Sequence, residues 1–419
     1  MHGVLYNIVE KIISIKMVLS IFFDYFRKLY LQKLTNIDMK KHFVFLLLTI
    51  LLAGSGFAQL STQSKVSLLT CGPGNEFYES FGHSAIRIKD DSLKMDLSFN
   101  YGMFSFGEPN FYLKFAQGRL PYMLGVYPTD LFMVEYITSG RSVTEQVLNF
   151  TLEEKNRLYN ALVENYKPEN RYYAYDFFRD NCATRVRDML ELAAGRPVFS
   201  TQYAAGNPTY RKLYYHCTDN MLWWRLGIDL LLGARADKKL TETECTYIPF
   251  DLQNQVDTVV YMQKSGDWIS ETNYLCKQTK SEVPPTKFTP FMVFGIFFLL
   301  VLILTIVEYR KKCYCKAFDI VFFAIIAVFS LLLLLMTFCT DHYTTKYNFN
   351  LLWANPLFWW ILLRMKKTPA WCIYVLASCL TVSLLCFGLL PQMFNIAILP
   401  LILSIGLRLF ALYRAKTLA

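Results

Sequence analysis

The chain has 419 residues, 54% of them hydrophobic, and carries a formal net charge of +10. Much of the basic surplus falls in loops between apolar runs, and no basic stripe with interleaved aromatics is sustained elsewhere, which argues against nucleic-acid binding. No internal repeat, low-complexity tract or metal-ligand motif appears: Cys313 and Cys315 form a CxC without a partner cluster, and no cofactor is expected.

In chain order, residues 1–38 match no targeting pattern, and Met39 is expected to be the true start, the preceding stretch being an over-extended reading frame. "MKKHFVFLLLTILLAGSGFA" (Met39–Ala58) reads as a signal peptide: a basic n-region, a short apolar core, and Gly56 and Ala58 before a cleavage point. Residues 59–280 are mixed in composition and long enough for one substantial core. Strands are expected around Val66–Leu69, over "HSAIRIKD" and over Leu93–Phe104, the last two separated by a charged turn at Asp90–Ser92. "TEQVLNFT" is a further strand. "LEEKNRLYNALVENYKP" is an amphipathic helix capped by Thr151, with Glu153 and Glu154 in its first turn. The aromatic, glycine-punctuated run Pro109–Phe132 reads as either core packing or a membrane-facing loop.

"YDFFRDNCATRVRDMLELAAGRP" (Tyr175–Pro197) carries the sharpest signal. Asp180 and Asn181 are N-cap residues, Ala183, Val186, Leu190 and Ala193 recur at helical spacing, and Gly195 and Pro197 end the helix. Cys182 therefore sits in the first turn, where unpaired backbone N–H groups and the helix dipole favour a thiolate. A buried structural cysteine or half of a disulfide is the alternative. The exported region has five cysteines, Cys71, Cys182, Cys217, Cys245 and Cys276, so one stays unpaired unless it bridges to another chain. Cys71 is the rival nucleophile but lacks a helix N-terminus.

His83 is the only histidine between residue 59 and Cys182 and heads a strand. A helix-N-terminal thiol and a strand-edge imidazole make a cysteine–histidine dyad in which the imidazole takes the thiol proton and later protonates the leaving group. Asn100 is the candidate third group, with Asp96 and Tyr101 in reserve. Arg179, Arg185 and Arg187 stand near Cys182, either to meet a phosphate or as ion-paired surface groups.

The linker 281–290 is proline-rich, hence semi-rigid. Residues 291–419 form the membrane domain, with five candidate spans at roughly 290–308, 318–340, 351–363, 371–390 and 394–413. The third, holding Asn355 and Pro356, is short enough to be tilted, broken or re-entrant. Basic loops follow spans one, three and five, which places them and the C-terminus in the cytoplasm and residues 59–290 outside. Asp341 and His342 fall just outside span two, where they line a substrate entrance or merely an interfacial loop.

The order histidine-then-cysteine resembles that of the circularly permuted branch of the NlpC/P60 superfamily, whose nucleophile also follows an asparagine. More closely, "TCGPGNEFYESFGHSAIRI", "NYGMFSFGEPNFYLKFAQGRLPY", "PENRYYAYDFFRDNCATRVRD" and "TDHYTTKYNFNLLWANPL" resemble the Lnb family of Bacteroidetes, over nearly everything from Cys71 to Ala419. The resemblance implies an α+β papain-like (circularly permuted NlpC/P60-type) periplasmic domain followed by an all-α domain of about five transmembrane helices in the bacterial inner membrane. It implies lipoprotein N-acylation: a phospholipid as acyl donor, lipoproteins as acceptors, Cys182 as nucleophile and His83 as base, with Arg185, Asp341 and His342 as substrate-binding candidates. A cell-wall amidase or peptidase using the same dyad, and a non-enzymatic membrane-anchored assembly protein, are the competing readings.

Overall fold

The computed structural model describes residues 59–258, 267–279, 283–385 and 387–417. The expectations for residues 1–38 and for the signal peptide lie outside the described residues. Alternation of apolar residues builds a seven-stranded, wholly antiparallel sheet: β1 (Lys65–Cys71), β2 (His83–Asp90), β3 (Met95–Met103), β4 (Pro121–Pro128), β5 (Val143–Leu148), β6 (Tyr172–Ala174) and β7 (Ile269–Cys276). The order across the sheet is β6-β4-β3-β2-β1-β5-β7.

The helices of this region are α1 (Phe111–Gln117), α2 (Thr129–Ser139), α3 (Leu152–Tyr166), α4 (Cys182–Ala194), α5 (Tyr210–Cys217), α6 (Leu222–Leu231), α7 (Glu242–Cys245) and α8 (Pro249–Thr258). Because side chains alternate across a strand, Val66 and Leu68 of β1 face one core while Leu69 and Cys71 face another. The first core takes Ile86, Ile88, Phe99 and Tyr101 from the sheet, Leu158 and Leu162 from α3, and Val186 and Leu190 from α4. The second is smaller and lies under α2, through Phe132, Met133 and Tyr136. The expected turn at Asp90–Ser92 forms a short 3-10 turn capped by the Asp90 carboxylate, which accepts from the N–H groups of Ser92 and Leu93.

The membrane region contains α9 (Pro290–Lys311), α10 (Lys316–Phe338), α11 (Leu357–Arg364), α12 (Ala370–Leu385) and α13 (Leu399–Thr417). Among the described residues three helices are long and apolar enough to cross a membrane: Pro290–Lys311, Lys316–Phe338 and Ile396–Thr417, the last including a 3-10 turn before α13. The expected third span becomes a 3-10 turn (Phe349–Leu352) followed by α11, whose eight residues rise only ~12 Å against a hydrocarbon core of ~30 Å. Asn355 and Pro356 interrupt the run at that point, since Pro cannot donate to a preceding turn. α12 is apolar but short.

Two buried ionic clusters hold the membrane region together and to the sheet region. Arg408 of α13 is fully buried and donates to Asp319 of α10 at 2.6 Å and to Glu308 of α9 at 2.7 Å, tying three helices. Arg211 of α5 donates to Asp229 of α6 at 2.7 Å and to Asp237 at 2.9 Å; Asp229 also accepts from Asn395 at 2.8 Å, and Asp237 from the Met393 N–H at 3.0 Å. Next to this, the N–H of Gly233 donates to Thr344 O at 2.8 Å. A Cβ on Gly233 would stand 2.0 Å from the Lys346 carbonyl oxygen, so only glycine permits this approach. Leu226 of α6 completes the join by packing into the apolar core of the membrane helices.

Candidate active site

The loop before α4 is pinned before the helix begins. Asn181 is its N-cap: Oδ1 accepts from the Thr184 N–H at 3.0 Å, and the Thr184 hydroxyl accepts from the Asn181 N–H at 2.8 Å. The Asn181 Nδ2 donates to the carbonyls of Phe177 and Tyr247, each at 2.8 Å, which fixes the approach of the chain. Gly195 closes the helix in the left-handed region at φ 68°. Cys182 is thus the first helical residue, only 9% exposed, at the end of the helix where backbone N–H groups lack helical acceptors.

The structure brings His83 and Asn100 to this thiol. His83 is the first residue of β2, and its Nε2 lies 2.6 Å from Asn100 Oδ1 on neighbouring β3. An amide oxygen only accepts, so Nε2 carries the proton and Nδ1 is the nitrogen left for the thiol. Burial opposes a charged Cys182, but the His83 charge and hydrogen bond, with the N–H groups of Ser84 and Ala183, outweigh it and hold the thiol below its usual value. For His83, burial works against the imidazolium and the Cys182 charge and the hydrogen bonds to Cys182 and Asn100 prevail, so its value is raised. The two shifts are the two faces of one stabilised thiolate–imidazolium pair.

The other sequence candidates stand elsewhere. Asp96 is held bidentately by Arg87 at 2.8 and 2.5 Å, and the Tyr101 hydroxyl donates to Asn165 at 2.7 Å. Cys71 is fully buried under α2, and burial pushes its thiol up to about 12. Among the described residues the cysteines are free thiols, and no cluster of three or more His, Cys, Asp or Glu is placed to hold a metal.

Arg185 is paired bidentately with Asp180 and lies over the Tyr173 ring, 4.2 Å from its centroid. Arg187 is held by Asp188 at 2.6 Å. Arg179 makes no ion pair among the described residues; it lies over the ring of Tyr343, 4.3 Å from the centroid. Asp341 accepts from Arg119 at 2.6 Å, its own N–H donates to Gln117 O at 2.8 Å, and a Cβ on Gly118 would stand 3.2 Å from the His342 ring. Asp341 and His342 therefore sit against the C-terminal end of α1, on the loop after α10.

Two features at the site escaped the sequence reading, and a third was seen only as part of the aromatic run Pro109–Phe132. Gly102, at φ +94°, passes beside both dyad residues: a Cβ there would lie 3.9 Å from Cys182 Cβ and 4.0 Å from His83 Cε1. The Tyr173 hydroxyl is buried without a hydrogen-bond partner, and the Cys182 charge, after burial, is the main influence raising its value. An aromatic series also leaves the site: Tyr175, which feels the Cys182 charge, stacks on Tyr122 at 4.2 Å, and Tyr122 meets Phe104 at 5.1 Å. Phe104 continues to Phe106 and Phe111, and the end of the series is open, with Phe106 75% and Tyr112 81% exposed. The signal for this series was the density of aromatics in Phe104–Tyr122, which composition alone cannot assign to core or surface.

Comparison with known families decides what kind of chain this is. Residues 57–215 match the Lnb N-terminal periplasmic domain, and residues 279–418 match the Lnb transmembrane domain. The chain belongs to the Lnb family. As a member of the Lnb family it is a membrane protein with a periplasmic domain, and the thiol at Cys182 lies in the part matched to that domain. Comparisons with curated proteins and with solved structures return no match.

Proposed function

We propose that this Lnb-family chain is a thiol-dependent acyltransferase that N-acylates lipoproteins. The observation that carries the reading is the Cys182–His83–Asn100 arrangement at the start of α4, in which the thiolate and the imidazolium each favour the other. The Cys182 thiolate attacks the carbonyl carbon of a phospholipid acyl ester. The tetrahedral oxyanion is met by the Cys182 N–H of the first turn and by the Tyr173 hydroxyl, a donor otherwise left without a partner. The C–O bond breaks, His83 gives its proton to the departing glycerol oxygen, and a lysophospholipid leaves a thioester on Cys182.

The α-amine of a diacylglyceryl-cysteine lipoprotein then attacks the thioester. His83 takes the amine proton, the C–S bond breaks, and an amide is released with the thiolate restored. Both substrates are lipid-anchored, so joining the catalytic domain to membrane helices avoids moving an acyl chain through water at ~0.8 kcal/mol per CH₂. The same reading includes a permuted papain-like periplasmic domain, five membrane passes and a cytoplasmic C-terminus, as the basic residues at or just beyond the C-terminal ends of α9, α11 and α13 argue.

The test expresses the protein and its Cys182→Ala form in a strain lacking its N-acylating activity and weighs the N-terminal lipopeptide of one abundant lipoprotein. An amide-linked acyl chain added only by the wild type supports the reading. Addition by both forms removes Cys182 from the chemistry. Addition by neither, with both proteins in the membrane, turns the reading towards a hydrolase or a binding protein.

A further inference from the structure

At the outer end of α10 lies a cavity of ≈ 520 Å³ whose walls are of two kinds. Phe338, Phe349 and Leu351 give it apolar sides, while Arg235 and Lys346 bring positive charge into it. Arg235 makes no ion pair or side-chain hydrogen bond among the described residues. It is fixed instead by aromatic faces, 4.5 Å from the Tyr343 centroid and 5.1 Å from that of Tyr347. Tyr343 also carries Arg179, so two guanidinium groups without carboxylates share one ring.

Lys346 adds a third cation. Its ammonium donates to the carbonyls of Thr337 at 2.8 Å and Thr340 at 2.6 Å, which leaves one of its three protons uncommitted. The Asp341 carboxylate acts on this corner too, but Arg119 already holds it. Like charges gathered at a low-dielectric boundary repel unless an anion joins them. A free guanidinium offers a fork of donors that fits phosphate oxygens. Phe338 and Tyr347, 72% and 65% exposed at the end of α10, mark the interfacial level where a phospholipid places its phosphate.

We propose that this cavity binds a membrane glycerophospholipid, its phosphate held by Arg235 and Lys346 and its upper acyl segment lying along Phe338, Phe349 and Leu351. Arg179 lies on the far side of the contact through Tyr343, three positions before the nucleophile, and connects this phosphate site to the loop that delivers Cys182. The cavity is then the donor-lipid site, an assignment that rests on the acyltransferase reading; phospholipid binding itself does not.

The test uses the purified full-length protein in detergent, with retention of dioleoylphosphatidylglycerol, dioleoylglycerol or inorganic phosphate followed by native mass spectrometry. The phospholipid is expected to be retained over dioleoylglycerol, and Arg235→Gln and Lys346→Gln are each expected to weaken it about tenfold, the scale of one charged hydrogen bond. Melting curves exclude a variant that has merely unfolded. Equal retention of dioleoylglycerol, or unchanged phospholipid retention in folded Arg235→Gln, overturns the proposal. So does displacement of the lipid by an equal concentration of inorganic phosphate, which would make this a free-phosphate site. A thioester adduct on Cys182, sought by intact mass in the same samples, separates the two ideas: no adduct despite Arg235-dependent binding sinks the acyltransferase reading alone, and an adduct with Arg235-independent binding sinks this site alone.

Discussion

Nε2 of His83 lies 2.6 Å from Oδ1 of Asn100, and the Asn100 amide nitrogen is turned to Met103 Sδ at 3.2 Å. The amide is therefore oriented, and it sets the imidazole tautomer with Nδ1 towards the thiol. Asn100→Ala removes that orientation without touching Cys182. Acyl transfer is expected to fall about 10- to 100-fold, and Asn100→Gln is not expected to restore it, because the longer side chain moves the acceptor. Steady-state acylation by the two variants, with melting curves as a control for folding, checks this.

The ionisation of the pair gives a pH profile. Cys182 is held below the usual thiol value and His83 above the usual imidazole value, each chiefly by the other once burial is overcome. Alkylation by iodoacetamide follows the thiolate, so its rate rises with pH through a midpoint below that of an ordinary thiol. In His83→Ala the burial penalty remains and the imidazolium is gone. The midpoint should move up, with the neutral-pH rate about tenfold lower or less. Peptide mapping should find Cys71 unlabelled at neutral pH, since burial pushes its thiol up to about 12. Rapid labelling of Cys71, or no shift in His83→Ala, would refute the assignment.

Some of this architecture was legible in the sequence, and the boundary has physical causes. β1, β2, β3 and β5 are marked by apolar segments and the turns beside them, with a weak alternation in β2, and the capping signal around Thr151 and Asn181 places α3 and α4. β4 is hidden because Pro121, Gly125 and Pro128 read as turn residues, although its pairing with β3 tolerates them. β6 has only three residues, too few to show a period. β7 follows α8 in the chain yet pairs with β5, a non-local contact that no window of sequence contains. Cys182 could be found from local capping chemistry. The Ser84 N–H, Gly102 and the Tyr173 hydroxyl could not, since their nearness to Cys182 arises from the sheet and not from spacing.

Among the described residues, the Tyr173 hydroxyl is a buried donor without a hydrogen-bond partner, and the Cys182 charge, after burial, raises its value. If it meets the oxyanion, Tyr173→Phe should lower the rate of thioester formation by about 10²–10³-fold. It should leave the alkylation midpoint of Cys182 near the wild-type value, because a hydroxyl that acts only on the oxyanion does nothing for the resting thiolate. An unchanged acylation rate would remove Tyr173 from the mechanism.

Asn181 joins stability to chemistry. Replacing it with Ala removes a cap at about 1 kcal/mol, and it also strips two carbonyls, Phe177 O and Tyr247 O, of their donor. Each of those adds ~1 kcal/mol or more when buried, so Asn181→Ala should lose about 2–4 kcal/mol. Asn181→Asp keeps the acceptor for Thr184 but sets a buried carboxylate oxygen against the same two carbonyl oxygens, and should lose at least as much as the alanine variant. Thermal unfolding of the three proteins in one detergent gives the order.

Arg408 supplies a test of the membrane helices that does not depend on catalysis. It is fully buried between Asp319 and Glu308, with Thr305 Oγ1 at 3.0 Å as a further acceptor. Breaking a buried ion pair from one side costs about 3–5 kcal/mol, because the remaining charge keeps its desolvation penalty. Arg408→Met leaves two carboxylates facing an apolar side chain and should sharply reduce stability in detergent. The triple variant Arg408→Met, Asp319→Leu, Glu308→Met removes every charge of the cluster and should recover most of that loss. Recovery would show that the cluster acts through charge balance among α9, α10 and α13. Equal instability of the single and triple variants would mean that the ionic contacts themselves hold these helices in register.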